Sequence, residues 1–154
     1  MAPPSRENAA LVRRFLLDVV ACGDTNAVAD LLAADVGDHH LVFEGDQHQG
    51  VATELGRQAL ASADVDLHVE DVVASGERVA VRGRVTGTHQ ESLMDLAPTG
   101  RSFEIACAWF FRIEHDQIAE IWSLPDGLGL LTQLDAVPEE FPKRTQPNVF
   151  QQQR

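Results

Sequence analysis

Residues 101–127, RSFEIACAWFFRIEHDQIAEIWSLPDG, contain the clearest structural pattern in the chain. Apolar side chains occupy every second position over residues 103–113, and a second apolar run covers residues 118–124. Alternation with a period of two is typical of a β-strand that buries one face. Because Glu114-His115-Asp116 between the two runs suits a tight turn, this stretch predicts a β-hairpin.

Two further strands are predicted before this hairpin. Apolar and polar residues alternate over residues 65–70 and again over residues 79–86. Turn residues separate the strands, with Ser75-Gly76-Glu77 after the first of them and Pro98-Thr99-Gly100 before the long strand. The sequence therefore predicts four strands of an antiparallel sheet.

Helical spacing dominates the N-terminal part of the chain. Leu11, Phe15 and Val19 recur at helical intervals, which predicts an amphipathic first helix from Ser5 to Gly23. Asp24 or Thr25 can cap a shorter second helix. The remaining predictions, in chain order, are an end of the second helix near Ala34, an irregular segment over residues 35–49, a third helix over about residues 50–63, and a short helix through Leu131 and Leu134.

This order of elements favours the α+β class, with about three N-terminal helices on one face of a curved antiparallel sheet. A bent sheet closed by helices forms a cone that encloses an apolar pocket, the usual setting for a small ligand. We expect residues 1–137 to form a single domain. Residues 138–154 contain Gln151 to Gln153 in a row and little apolar periodicity, so we expect a tail that is flexible or packs on a partner subunit.

Charge and composition exclude several classes of protein. The chain has 154 residues with 24 acidic against 12 basic side chains, and its net charge of −12 repels nucleic-acid phosphates and anionic lipid. We therefore expect neither nucleic acid nor a membrane as a partner. No apolar run approaches the ~20 residues of a membrane span, and the first residues lack the apolar core of a signal peptide, so we expect a cytoplasmic protein.

The chain is poor in residues that hold metals. Cys22 and Cys107 are too few for a thiolate site, and we expect both to be reduced core residues. His39, His40 and His48 lack the spacing of a zinc pair. We expect neither a metal nor a cofactor. Because the sequence has no tyrosine, mechanisms that need a phenol as hydrogen-bond donor are excluded.

Six segments, in this order and at this spacing, resemble one protein family. They are VEDVVASGERVAVR (residues 69–82), TGTH (86–89), PTG (98–100), Arg112-Ile113, EIW (120–122) and DGLGLLTQL (126–134). Together they resemble the SnoaL-like polyketide cyclase (ester cyclase) family of the nuclear transport factor 2-like superfamily. The resemblance implies an α+β cone and a cofactor-free intramolecular aldol condensation of an aromatic polyketide ester.

The resemblance also implies catalytic residues. The family's catalytic acid/base is an aspartate after the Glu-x-Trp motif of the last strand, and Asp126 matches it here. A pocket histidine after the second helix matches His39, with His40 as a possible substitute. From the residues alone, Asp126 has two interpretations: an acid/base partly desolvated beside Trp122, or the N-cap of a helix that begins near Gly127.

Most of the substrate-binding candidates lie on the predicted strands. Phe110 and Arg112 share one face of the long strand, where they can line a cavity with a cationic anchor; alternatively, Arg112 pairs with Glu104, Glu114 or Glu120. His89 precedes a loop that either covers the pocket or packs on a neighbouring subunit. The full set of candidates is Trp122, Arg112, Phe110, His40 and His89.

Two functions from different classes follow. In the first, Asp126 takes a proton alpha to a carbonyl of an apolar substrate, and His39 protonates the acceptor carbonyl. In the second, the fold is a non-catalytic module that binds a small apolar molecule. We also expect a homodimer through the sheet, because three helices cannot cover Phe103, Ile105 and Trp109 if the other face lines the pocket.

The acid excess predicts a dependence of stability on salt. At a net charge of −12, self-repulsion opposes the compact state, and added ions screen it. The melting temperature should therefore rise as KCl is increased from low to molar concentration. A flat response, measured by circular dichroism, would show that self-repulsion does not limit stability.

Overall fold

The computed structural model describes residues 4–39, 64–93 and 96–137. Helices lie beside a curved, unclosed sheet of five strands, which confirms the predicted α+β class. In chain order the elements are helix α1 (Pro4–Arg14), a π-helical continuation (Phe15–Ala21), a 3-10 turn (Thr25–Ala27), helix α2 (Val28–Leu31), strands β1 (Leu32–Asp38), β2 (Asp66–Ser75), β3 (Arg78–Thr88), β4 (Ser102–Glu114) and β5 (Gln117–Pro125), and helix α3 (Gly127–Gln133).

The four predicted strands form an antiparallel ladder in the order β5-β4-β3-β2. Gly76 turns the chain between β2 and β3 with φ of +57°, a conformation that favours glycine. His115 and Asp116 close the hairpin between β4 and β5 with φ of 50° and 59°. The turns predicted from the sequence therefore set the register of the sheet.

Strand β1 was not predicted, because its segment was expected to be partly helical and partly irregular. Helix α2 ends at Leu31 instead of near Ala34, and the chain continues as β1, which pairs with β5 in parallel. The sheet is therefore mixed instead of wholly antiparallel. Leu32-Ala33-Ala34-Asp35-Val36 lacks strict alternation of apolar and polar residues, and a parallel edge strand leaves no hairpin turn as a signal.

The core fills the side of the sheet that faces α1 and its π-helical continuation, here called the inner face. Phe15 packs edge-to-face on Phe111, with ring centroids 6.0 Å apart and an interplanar angle of 78°. Val12, Leu16 and Ile118 are completely buried in the same cluster. The opposite side of the sheet, here called the outer face, has no layer of described residues over Phe110, which is 46% exposed.

The prediction of which face of β4 is covered and which is exposed is wrong. Ile105 and Trp109, expected to stay exposed for a dimer, are only 7% and 5% exposed on the inner face. Both are buried because the odd-numbered side chains of β4 point toward the inner face. The alternating pattern shows that two faces exist but does not show which of them is covered.

These predictions lie partly or wholly outside the described residues: the irregular segment over residues 35–49, the third helix over residues 50–63, the tail over residues 138–154, and the position of His40. No helix within the described ranges is long and apolar enough to cross a membrane.

The two cysteines have different environments. Cys107 lies buried on the inner face of β4, where burial raises the pKa of its thiol to about 12. Cys22 is exposed at the end of the π-helical segment, so the expectation that it belongs to the core is wrong. Cys22 directly precedes Gly23, so it lies after the last buried turn of the π-helical segment.

This difference predicts selective alkylation, because the thiolate is the reactive form. In mildly alkaline buffer, iodoacetamide should modify Cys22 within minutes and leave Cys107 unmodified until the protein is denatured. Intact-mass spectrometry before and after addition of guanidinium counts the modified thiols. Cys22→Ser is the matched control and should remain unmodified in the native state; rapid native modification of that variant would show that β4 opens readily.

Candidate functional site

Four of the residues predicted for the site come together on the outer face. The ring of His39 stacks on Trp122, with centroids 4.7 Å apart and an interplanar angle of 13°. Phe110 is the register partner of Trp122 on the neighbouring strand, and Arg112 is the partner of Glu120 one row away. Arg78 places its guanidinium 5.7 Å from the centroid of the Trp122 ring, a cation–π contact.

Ion pairs engage the charged members of this group. Arg112 donates from Nε to Glu120 and from Nη1 to Glu114, the latter at 3.0 Å. His39 Nε2 lies 3.2 Å from Glu120 Oε1. The Arg112 guanidinium, and after it His39, lowers the pKa of Glu120, and the two glutamates raise the pKa of Arg112. Arg112 was predicted either to be a cationic anchor in a cavity or to form an ion pair with a neighbouring glutamate. The structure shows the ion pair.

A shallow apolar groove of about 520 Å³ lies beside the stack. Its described lining comes mainly from the outer face of β2, β3, β4 and β5. The side chains that line it on that face are Val73, Ser75, Arg78, Ala80, Phe110, Trp122 and Leu124.

Asp126 caps helix α3. Its Oδ1 accepts a hydrogen bond from the backbone N–H of Gly129 at 2.8 Å, and the residue is exposed. A Cβ at residue 129 would lie 2.2 Å from Asp126 Oδ2, so glycine at that position allows the cap to close. The capping interpretation therefore describes a contact in the structure, while the acid/base role of Asp126 stays a prediction.

Asp126 and the His39–Trp122 stack lie at different points along the strand direction. Asp126 lies four positions after Trp122, which corresponds to roughly 13 Å at the rise of an extended strand. A base and a carbonyl donor that act on one aldol step need to be within one small substrate of each other. Only an elongated molecule would contact both groups at once.

Two polar residues on the inner face were missed from the sequence. Asp38 pairs in register with the fully buried Ile121 and therefore points inward, whereas its neighbour His39 points outward. The Oδ1 atom of Asp38 is buried. Ser123, two residues beyond Ile121 on the same face, is 4% exposed, and its Oγ has no hydrogen-bond partner among the described residues. Two sequence features indicate these positions. Ser123 directly follows Glu-Ile-Trp, and alternation along β1 fixes the direction of Asp38.

His89 is buried at the end of β3, with 1% of its surface exposed. The backbone N–H of Thr99 donates to its Nδ1 at 3.1 Å, which makes Nδ1 an acceptor and leaves Nε2 as the nitrogen that can donate. Nε2 is buried and has no partner within the described part of the chain. His89 is therefore a candidate hydrogen-bond donor to a ligand, but it is not part of the group of residues around Trp122.

Comparisons with known proteins agree with this architecture. The family model described as "SnoaL-like polyketide cyclase" matches residues 10–134. No curated protein matches the chain.

Solved structures with the same fold come from several bacteria. IdmH from Streptomyces antibioticus, a candidate polyketide cyclase, is 28% identical, with 86% of this chain and 98% of that chain covered and a TM-score of 0.65. A candidate SnoaL-like polyketide cyclase from Jannaschia Sp. CCS1 is 18% identical, with 90% and 98% covered and a TM-score of 0.79. AclR from Streptomyces galilaeus, a candidate hydroxylase, is 23% identical, with 90% and 91% covered and a TM-score of 0.73. Since the family model covers most of the chain, this protein belongs to the SnoaL-like polyketide cyclase family and has the nuclear transport factor 2-like fold.

Proposed function

We propose that this protein is a polyketide cyclase-type enzyme that transfers protons on an apolar carbonyl or ester substrate without a cofactor. Membership of the family and the similarity to IdmH support this class of reaction. The observation that carries the proposal is the Asp38 carboxylate on the inner face, the same face that carries the buried Ser123 hydroxyl.

The surroundings of Asp38 suit proton transfer. Its register partner Ile121 is 0% exposed, and the register partner of Ser123 is Trp109, which is 5% exposed. Apolar neighbours strengthen the interaction of a carboxylate with charge that develops on a bound substrate. The buried Ser123 hydroxyl can donate a hydrogen bond, and leaving such a group without a partner costs about 1–3 kcal/mol. A substrate oxygen would satisfy it.

The chemistry balances with these two side chains. The Asp38 carboxylate takes the proton from the carbon alpha to one carbonyl, and the C–H electron pair becomes an enolate. The enolate carbon forms a C–C bond to a second carbonyl carbon of the same molecule, whose C=O π pair moves to oxygen as an alkoxide. The protonated Asp38 then returns its proton to that alkoxide, while the Ser123 hydroxyl donates a hydrogen bond to the charged oxygen.

Asp126 is the competing candidate, and it was the one predicted from the family. It is accessible to solvent at the end of β5, two residues beyond Leu124 of the groove, but its Oδ1 already accepts from Gly129 N–H. The predicted partner His39 has its ring on the outer face against Trp122. Asp38 lies on the inner face beside buried apolar residues, whereas Asp126 is exposed. The two carboxylates can be compared directly because Asn preserves the size of both.

A second function, non-catalytic binding of a small apolar molecule, is favoured by one observation. The polar groups that the sequence placed in a reaction have structural partners: Asp126 caps α3, and Arg112 pairs with Glu114 and Glu120. A binding module needs an apolar surface and few charges, and the fold alone does not decide between binding and catalysis.

We expect Asp38→Asn to reduce proton transfer at least about 100-fold, because it removes the titrating carboxylate and keeps the shape. Asp126→Asn should leave the rate within about threefold of the wild type, because Asn is as good an N-cap as Asp. The measurement is deuterium exchange at the alpha carbon of aromatic polyketide β-keto methyl esters in D2O, followed by proton NMR. Asp126→Ala should lower the free energy of unfolding by about 1 kcal/mol.

Melting curves and ligand-observed NMR make each outcome interpretable. Loss of exchange in folded Asp126→Asn, with Asp38→Asn active, would transfer the role of base to Asp126. Exchange no faster than in buffer, with saturation transfer to the bound ester, would identify a binding module. Ser123→Ala should give an intermediate loss of rate with the ester still bound; an unchanged rate would remove Ser123 from the mechanism.

A further inference from the structure

His89 lies directly after strand β3 and continues its inner face. Odd-numbered residues of β3 such as Val79 and Val81 point inward and are buried. The backbone N–H of His89 donates to the carbonyl oxygen of Arg101 at 2.9 Å, so the pairing of β3 with β4 extends to this residue. Alternation therefore places the ring on the inner face, where only 1% of the residue is exposed.

The turn at Pro98-Thr99-Gly100 fixes the orientation of the ring. The backbone N–H of Thr99 donates to Nδ1 at 3.1 Å, and Thr99 Oγ1 lies 3.0 Å from the same nitrogen. The backbone N–H of Gly100 donates to the carbonyl oxygen of His89 at 2.9 Å, and its φ of +67° favours glycine. A flip of the ring would put a carbon in the place of Nδ1 and lose both of its contacts. Nε2 therefore keeps one direction.

Nε2 is the polar atom of this residue that the fold leaves over. It is buried and has no hydrogen-bond partner among the residues that the structure describes. Burial of a donor without a partner is unfavourable, and such atoms are rare in folded proteins. Because Nδ1 is an acceptor, Nε2 is the nitrogen that can donate. An acceptor atom supplied by a ligand would remove the cost of its burial.

The surroundings of His89 determine which acceptor suits it. Gly87, two residues earlier on the same face, contributes no side chain, and its register partner on β4 is the apolar Phe103. The inner-face positions of residues 79–87 and 103–113 are all occupied by uncharged residues. A carboxylate would lose its hydration there without a cation from these strands, which costs far more than the burial of a neutral carbonyl. The site therefore suits a neutral oxygen on an apolar molecule.

We propose that His89 Nε2 donates a hydrogen bond to a neutral carbonyl oxygen of an apolar ligand that binds at this end of the inner face. The position is separate from Ser123. Trp109, the register partner of Ser123, and Arg101, the partner of His89, are eight residues apart on β4, about 26 Å along an extended strand. A small ring system contacts only one of the two positions. Binding at His89 therefore depends neither on Asp38 nor on catalysis.

Heteronuclear NMR of protein isotopically labelled in histidine tests the proposal on the wild type. The signal of His89, assigned by its absence in His89→Asn or His89→Gln, should show a proton on Nε2 and none on Nδ1. Acetophenone, a neutral ketone, should shift the Nε2 signal, and benzoate at the same concentration should leave it unchanged. A proton on Nδ1, no shift with acetophenone, or a shift with benzoate would each overturn the proposal.

His89→Asn separates the roles of the two ring nitrogens. Oδ1 of the new side chain can accept from Thr99 in place of Nδ1, while the Nε2 donor is lost. We expect this variant to bind acetophenone about 10-fold more weakly than the wild type. It should bind α-methylstyrene, which has the shape of acetophenone without the oxygen, as the wild type does. His89→Gln keeps an amide donor near the place of Nε2 and should bind the ketone within about threefold of the wild type.

His115→Asn is the matched control, because it makes the same substitution at an exposed histidine whose φ of 50° suits Asn. It should leave the affinities for both probes unchanged. Circular dichroism melting curves identify the folded variants, and the comparison of ketone with benzoate on the wild type holds even if His89→Asn does not fold. A folded His89→Asn variant that binds acetophenone as tightly as the wild type, or that weakens both probes equally, would contradict a hydrogen bond from Nε2.

Discussion

The period-two alternation of β4 and β5 separates the molecule into two surfaces, and most other features depend on it. Odd-numbered residues of β4 such as Trp109 and Phe111 meet the helices, while even-numbered residues such as Phe110 and Arg112 stay on the far side. Because a shift of register by one residue would exchange the two sets, burial of Phe111 against Phe15 also fixes where the exposed row lies. The core thereby determines the position of a surface that it does not touch.

Sequence patterns predicted those parts of the fold that rest on local chemistry. The hairpin at His115-Asp116 and the caps at Asp24 and Asp126 follow from the residue types at those positions. Strand β1 was missed because its stability comes from pairing with β5, a contact between distant parts of the chain. The site was harder to predict for the same reason: the direction of Asp38 and of His39 depends on β1 being a strand.

Side-chain partners hold several candidate residues together on the outer face. Arg112, Glu120 and His39 have chemistry suited to an active site, yet they bond to one another on the outer face. A list of reactive residue types does not show which of them already have partners. Ser123 and His89 attract attention for the opposite reason, since each has a buried polar atom without a partner in the described part of the chain. A buried polar atom without a partner is therefore a candidate for contact with a ligand.

The division of the sheet into two faces also gives the protein two separate optical probes. The chain contains two tryptophans: Trp109 lies in the inner core, and Trp122 lies on the outer face, stacked on His39. With no tyrosine in the sequence, ultraviolet fluorescence excited at the indole band comes from these two rings alone. Emission from Trp109 reports on events between the helices and the sheet, and emission from Trp122 reports on what contacts the opposite surface. The intrinsic fluorescence of this protein thus distinguishes its inside from its outside without any added label.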